Sequence, residues 1–369
     1  MLKNYHLRNY NFKLLILVLI AGVFGTLMIN SADSSYFKKQ VMGFTICITG
    51  LIVLSLIDYK FISKFHLLLY ALNLLLLTAV PLFGSSANGA KRWLGSENLI
   101  KIQPSEFSKI ILIICAARYL EEHKDSINTF KTLVIYAIFC AIPLILIVQQ
   151  PDLSTTVDIF IILFTMLFVA GLSYKIIGIA ILCLVPLAGS FIWYIKRPNP
   201  LFFQEYQVTR ILAFLYPEDY TSTTQYQQDN SVMAIGSGQL FGKGLNSSTL
   251  ATVKDANLIS EQQTDFIFSV VGEELGFIGS ILIVVILGLI VVQCIKTARK
   301  ANDDKGMYIA TGVAVLIGFQ TFINIGVATS LLPNTGIPLP FISYGLSSLV
   351  SSCAAIGLVM NVSLQRRKY

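Results

Sequence analysis

Three short stretches place carboxylates and amines where apolar sequence begins, an expensive place for charge, and a fourth is glycine-rich and carries a lysine. The first is Gln103-Pro104-Ser105-Glu106-Phe107-Ser108-Lys109, in which Glu106 and Lys109 lie three residues apart and share one helix face. Pro104 suits a first helical turn, where its missing amide is no loss, and Glu106 there complements the helix dipole. The pair reads equally as a structural ion pair or as charge aimed at a substrate. The second stretch is Gln149-Gln150-Pro151-Asp152-Leu153-Ser154, where Asp152 or Ser154 can cap the next helix, with Asp158 six residues beyond Asp152. The third runs from Glu261 through Thr264-Asp265-Phe266-Ile267-Phe268 to Glu273-Glu274-Leu275-Gly276. A helix cap needs Asp265 alone; the second carboxylate pair, two turns further in, favours a functional reading. The fourth, Gly236-Ser237-Gly238-Gln239-Leu240-Phe241-Gly242-Lys243-Gly244, fails as a phosphate-binding P-loop. That motif needs glycine at Ser237 and Ser or Thr at Gly244. A turn that lets backbone approach a ligand phosphate and a plain loop turn both stay open.

The elements that must position these groups are membrane helices. Hydrophobic residues make up 55% of 369 positions and charged residues 13%, about half the charged share of an ordinary soluble domain. The apolar runs reach the roughly 20 residues that cross a bilayer as helix, and lipid leaves backbone no other spanning option here. The fold expected is therefore an all-α polytopic membrane protein in a single domain, 1–369. Ten spans are predicted, near 14–30, 41–57, 65–83, 105–120, 133–149, 153–171, 176–195, 265–293, 307–331 and 340–362.

Cations group in alternate short connections: Lys60 and Lys64, then Arg118, Lys124 and Lys131, then Lys175, then Lys296, Arg299, Lys300 and Lys305, with more at both termini. This pattern predicts both termini on the cytoplasmic side. It also accounts for the net charge of +7 without a nucleic-acid partner. The two long connections, 84–104 and 196–264, then fall outside, and the second is too long for a mere turn and is expected to be partly helical. Chemistry is expected there, because long loops on a rigid scaffold tend to carry function. Pro333, Pro338 and Pro340 rule out continuous helix between the last two spans, so that segment is expected to border the same outer cavity. The six cysteines include no C-x-x-C pair and the three histidines are isolated, so no metal site is indicated. The basic, then apolar N-terminus lacks a convincing cleavage site and reads as a retained first helix. No internal repeat is evident.

Taken together, these segments resemble the SEDS family (shape, elongation, division and sporulation), which includes RodA and FtsW, with a length closest to RodA. The resemblance is carried by Asn88-Gly89-Ala90-Lys91-Arg92-Trp93, Gln103-Pro104-Ser105-Glu106, Gln150-Pro151-Asp152-Leu153, Ala234-Ile235-Gly236-Ser237-Gly238 and Leu240-Phe241-Gly242-Lys243-Gly244-Leu245. Thr264-Asp265-Phe266-Ile267-Phe268, Gly272-Glu273-Glu274-Leu275-Gly276 and the run from Thr335-Gly336 to Ser343-Tyr344-Gly345 extend it in the family's order. The chain departs from the pattern at Ser260, Gln263 and Leu346, where the family often has proline, histidine and glycine.

The resemblance implies a ten-helix peptidoglycan glycosyltransferase of the bacterial cytoplasmic membrane, serving elongation, division or sporulation. It would join the disaccharide units of lipid II outside the membrane, beside a class B penicillin-binding protein that crosslinks the strands. It makes Asp265 the leading catalytic candidate and places Glu106 and Lys109 in the same cavity. In that chemistry an acceptor hydroxyl loses its proton while attacking the donor's anomeric carbon, so one general base and cationic support for the pyrophosphate suffice. Asp265 is the candidate base. Lys109, Arg210 and Lys243 are candidate phosphate contacts, and Glu106 holds Lys109. Asp152, Glu273, Glu274, Lys91 and Arg92 complete the supporting set. A divalent cation, Mg or Mn, could assist at the pyrophosphate, although no ligand cluster calls for one. Two other classes fit less well: a flippase for the lipid-linked precursor, and a non-catalytic scaffold for the penicillin-binding protein.

Overall fold

Apolar runs in lipid satisfy their backbone groups internally, and the described residues are accordingly mostly helical. The structure, a computed structural model, describes residues 9–87, 90–95, 101–196, 205–216, 223–246, 252–253, 256 and 258–365. In chain order the helices are α1 (Phe12–Ala32), α2 (Phe37–Leu56), the short α3 (Tyr59–Lys64), α4 (His66–Phe83), α5 (Pro104–Glu122), α6 (Phe130–Gln149) and α7 (Leu153–Val169). There follow α8 (Tyr174–Ile195), α9 (Glu205–Leu215), α10 (Thr223–Ser237), α11 (Ile267–Arg299), α12 (Asp304–Ala328) and α13 (Leu346–Leu364). Each predicted span overlaps one of them. Seven of the described helices are long and apolar enough to cross a membrane by themselves. Many large apolar side chains point away from the protein, among them Leu67, Leu82 and Ile138, as lipid-facing surfaces require.

Differences from the predicted spans have local causes. The last helix starts at Leu346, not near 340, because the proline-rich segment stays non-helical through Gly345. The start of α12 is set by Asp303, whose side chain accepts from the Gly306 amide at 2.8 Å, a side-chain N-cap. The connection 196–264 contains α9 and α10, in keeping with its expected partial helicity. Two short strands, β1 (Ser85–Ala87) and β2 (Ala90–Trp93), pair antiparallel. They flank Asn88-Gly89, a dipeptide favoured in two-residue hairpin connections, and that dipeptide itself lies outside the described residues.

Helix α12 packs against α5, α7, α11 and α13, while α2 lines α13 and α1 lines α11. The helix ends then fall into two groups. At one end Arg92 of β2 donates to the Pro151 carbonyl, Ser154 donates to the Thr335 carbonyl at 2.5 Å, and Gln228 of α10 donates to the Leu332 carbonyl at 2.8 Å. At the other end the Tyr59 hydroxyl donates to Asp303 at 2.7 Å and Lys124 pairs with Asp304 at 2.7 Å. The four candidate stretches all belong to the first end or just beneath it.

Candidate active site

The Gln-Pro-Ser-Glu stretch starts α5 with Pro104 in the first turn and Glu106 beside it. Three residues on, Lys109 turns to the same face, and its ammonium lies 2.7 Å from Glu106 Oε1. A third charge completes the group: Asp158 of α7 stands 3.4 Å from the Lys109 nitrogen. Lys109 is 2% exposed, Glu106 4% and Asp158 0%, so the charges are shielded from bulk solvent. Charges so buried persist only when paired and hydrogen-bonded. The Gln320 amide of α12 supplies a further bond, donating to Asp158 Oδ2 at 2.8 Å. Next to the cluster, Ser108 donates to Asn73 Oδ1 of α4 at 2.5 Å. Four helices are thus joined by one polar patch inside an otherwise apolar core.

Asp152 sits above this cluster and does two jobs. Its Oδ1 caps α7 by accepting from the Thr155 amide at 3.2 Å. Its Oδ2 accepts from Gln103 at 3.1 Å and from Ser105 at 3.3 Å, which ties the starts of α5 and α7 together. Arg92 approaches Oδ1 at 4.0 Å while donating to the Pro151 carbonyl. Neighbouring Lys91 on β2 is exposed.

Asp265 does not cap α11; the residue before that helix is Phe266, with no side-chain cap. The aspartate lies in the turn that precedes the helix, partly exposed. Its backbone is fixed by the Asn324 amide, which donates to the Asp265 carbonyl and to the Ile337 carbonyl, both at 2.8 Å. Just before it, the Gln263 carbonyl accepts from the Tyr344 amide at 2.8 Å and the Thr264 carbonyl from the Ser343 hydroxyl at 2.6 Å. The non-helical segment after α12 therefore cradles this turn. At Gly336, with φ +73°, a Cβ would stand 3.3 Å from Asp265 Oδ2. Asn324 lies one turn along α12 from Gln320, so a single helix face holds both the Asp265 turn and the Asp158 cluster.

The carboxylates of the Gly-Glu-Glu stretch are used within the protein. Glu273 Oε1 accepts from Lys243 Nζ at 2.7 Å and from the Val253 amide at 2.8 Å. Glu274 Oε1 accepts from the Ser31 hydroxyl of α1 at 2.5 Å and from the Asn246 amide at 3.4 Å. The glycine-rich turn folds onto α11 at the same place. The Lys243 and Gly244 amides donate to the Glu273 and Glu274 carbonyls at 2.9 and 3.0 Å. Two amides of α11 donate back, Phe277 to the Gln239 carbonyl at 2.8 Å and Ile278 to the Leu240 carbonyl at 3.3 Å. The exchange is possible because α11 kinks at Gly276, with φ +63° and ψ −160°, a conformation that glycine adopts without penalty. Gly238, Gly242 and Gly276 serve backbone-to-backbone packing.

Of the sequence candidates, Glu106 and Lys109 share a cluster, Asp152 and Arg92 form a second group, and Lys243, Glu273 and Glu274 form a third. Arg210 lies on α9, and its side chain is outside the described residues. Gln320, Asn324 and Asn73 were missed; polar amides inside apolar spans, the first two spaced four apart on α12, were the available signal. Among the described residues no group of three or more His, Cys, Asp or Glu is arranged to hold a metal.

Comparison with known proteins bears on the family and the fold. The probable peptidoglycan glycosyltransferase FtsW of Geobacter metallireducens is 34% identical over 376 residues, covering 98% of this chain and 96% of the relative. Stage V sporulation protein E of Bacillus subtilis is 34% identical over 369 residues, covering 96% and 97%. Among solved structures, a chain of a peptidoglycan synthase complex that coordinates polymerization and crosslinking superposes with TM-score 0.80 at 26% identity, covering 96% and 97%. The rod shape determining protein RodA of Thermus thermophilus superposes with TM-score 0.71 at 25% identity, covering 98% of both. The FtsW/RodA/SpoVE profile, described as cell cycle protein, matches residues 7–368, and the chain belongs to that family of multi-pass membrane proteins.

Proposed function

We propose that this protein is a peptidoglycan glycosyltransferase that polymerises lipid II at the outer face of the bacterial cytoplasmic membrane. Both termini then lie in the cytoplasm, ten helices cross the bilayer, and α9 and α10 belong to the large outer connection. Its partner is a class B penicillin-binding protein. The observation that carries the reading is the setting of Asp265: a partly exposed carboxylate on a turn fixed through its backbone by Asn324. A carboxylate on a residue that is not fully buried, carried by a backbone held in place, is what a general base needs.

In this reading Asp265 takes the proton from the acceptor hydroxyl as that oxygen attacks the donor's anomeric carbon. The lipid pyrophosphate leaves as an anion, and displacement without a covalent intermediate inverts the anomeric centre, by analogy with inverting glycosidases. Lys109 already faces two carboxylates, which favours positioning of α5 and α7 over direct contact with phosphate. Lys91, exposed on β2, and Arg210 of α9 then remain as the candidates to meet the pyrophosphate, with a divalent cation as a further aid. Polyprenyl tails would enter between helices from the lipid.

The test is polymerisation of fluorescent lipid II by the purified protein with its cognate penicillin-binding protein, with and without Mg2+ or Mn2+. Glycan ladders from wild type that fall by about 10² or more in Asp265→Asn, at unchanged thermal stability, are expected. Ladders of full intensity from the variant would move the base elsewhere, and no ladders from wild type under any condition would overturn the polymerase reading.

A further inference from the structure

Beside the Asp265 turn lies a separate cavity of about 470 Å3, between the end of α1 and the chain that leads to Asp265. Its walls include Asn30 and Asp33 on one side and Asn246, Glu261, Gln262 and Gln263 on the other. Glu274 joins the two walls from beneath, through the Ser31 hydroxyl and the Asn246 amide. Gln262 also ties across, donating to the Ala32 carbonyl at 3.3 Å. Its Oε1, on a side chain only 7% exposed, has no hydrogen-bond partner. A buried acceptor left without a partner costs about 1–3 kcal/mol, so a donor that reached this oxygen from the cavity would relieve that cost.

The electrostatics narrow the donor. Two carboxylates, Asp33 and Glu261, line the cavity, and no Lys or Arg is among its described lining residues. The cation nearest in sequence to a lining residue, Lys243, is held by Glu273 at 2.7 Å, and Lys38 and Lys39, on the other wall's side, start α2 outside the cavity and are exposed. A pyrophosphate would meet like charge here in place of the cationic forks that recognise it. Among the described lining residues there is no aromatic ring to stack on a sugar face. A cationic N–H donor suits both carboxylates and the orphaned Gln262 oxygen.

Position supplies the link to the reaction. Glu261 is four residues from Asp265, so their Cα atoms are at most about 14 Å apart. We infer that this cavity binds the amine-bearing peptide of the lipid-linked substrate, its ammonium entering between Asp33 and Glu261. The inference rests on the polymerase reading for the identity of the ligand, and it assigns the peptide, not the pyrophosphate, to the α1 side of Asp265.

The experiment is native mass spectrometry of the full chain in detergent with two lipids, lipid II bearing a free peptide ε-amine and the same lipid acetylated at that amine. Wild type is expected to bind the free-amine lipid about fivefold more tightly, a modest figure suited to a partly hydrated ion pair. The Asp33→Asn/Glu261→Gln variant, which keeps the shape of both side chains, is expected to bind both lipids alike. Equal binding by wild type, or discrimination that persists in the double variant, overturns the inference. A chain that discriminates in binding yet forms no glycan ladders overturns the polymerase reading alone.

Discussion

Asp158 Oδ2 receives both the Gln320 amide, at 2.8 Å, and the Lys109 ammonium, at 3.4 Å, on a single oxygen. With Glu106 the cluster holds two carboxylates to one cation in the buried core, and α5, α7 and α12 are locked to one another through it.

Removing the cation should therefore be worse than removing one carboxylate. Lys109→Ala leaves two buried carboxylates facing each other and is expected to destabilise the protein by about 3–5 kcal/mol. Adding Asp158→Asn should recover part of that loss, since the remaining Glu106 then has no like charge beside it. A double-mutant cycle on unfolding in detergent reads the coupling, expected above about 0.5 kcal/mol. Strictly additive losses would mean that the two groups do not share one cluster.

The kink of α11 predicts a sharp contrast between two glycines. A Cβ at Gly276 would lie 2.4 Å from the Gly242 nitrogen, and its φ of +63° disfavours any L side chain. Gly276→Ala is expected to cost about 1–3 kcal/mol and to loosen the glycine-rich turn. On the same helix, a Cβ at Gly288 meets nothing within 4 Å, so Gly288→Ala should be neutral or slightly stabilising. Thermal midpoints of the two variants, measured side by side, decide the matter.

Lys243 was a candidate phosphate contact in the sequence, yet its ammonium pairs with Glu273, which is 1% exposed. Lys243→Met should lower the unfolding midpoint by leaving Glu273 without its cation. Lys243→Met/Glu273→Gln should restore much of it. A variant of wild-type stability with only a raised KM for lipid II would place Lys243 on the substrate instead.

The opposite end of the bundle predicts a pH dependence. Burial acts to raise the pKa of Asp303, but hydrogen bonds from Lys60, the Gly306 amide and Tyr59 outweigh it and hold the carboxyl below its ordinary value. A depressed folded pKa gives stability that is present above the unfolded value of about 3.9 and is lost as pH falls through the folded pKa. Burial and the Asp303 charge raise the Tyr59 pKa, so its contribution holds below about pH 10 and fades above it. Thermal midpoints from pH 3 to 11 should show both limbs. Asp303→Asn should flatten the acid limb and Tyr59→Phe the alkaline one; unchanged limbs would exclude these groups.

Some of the site was legible in residue spacing. Glu106 and Lys109 are three apart, and that geometry is local, so the helix alone brings them to 2.7 Å. Asp152 before Leu153 reads as a cap for the same reason. Asp158 had no legible role, because its partner Gln320 is 162 residues away on another helix. The Gly-Glu-Glu carboxylates looked functional for lying deep in an apolar run. Their partners Lys243, Val253, Ser31 and Asn246 come from distant segments, which no periodicity encodes. The β1–β2 hairpin was overlooked despite Asn88-Gly89, because apolar runs dominated the reading.

The sequence by itself determined that the chain is a bundle of membrane helices. Hydropathy is a property of each segment alone, and lipid leaves an apolar segment one way to satisfy its backbone. It also determined the family, through motifs kept in order along the chain. Only the tertiary structure decided which charges meet. It put Lys109 between Glu106 and Asp158, kinked α11 onto the glycine-rich turn, hung the Asp265 turn on Asn324, and opened an acidic cavity between α1 and that turn. Each of these depends on how helices pack, and packing is set by shape and partner over long separations, not by the composition of any one helix.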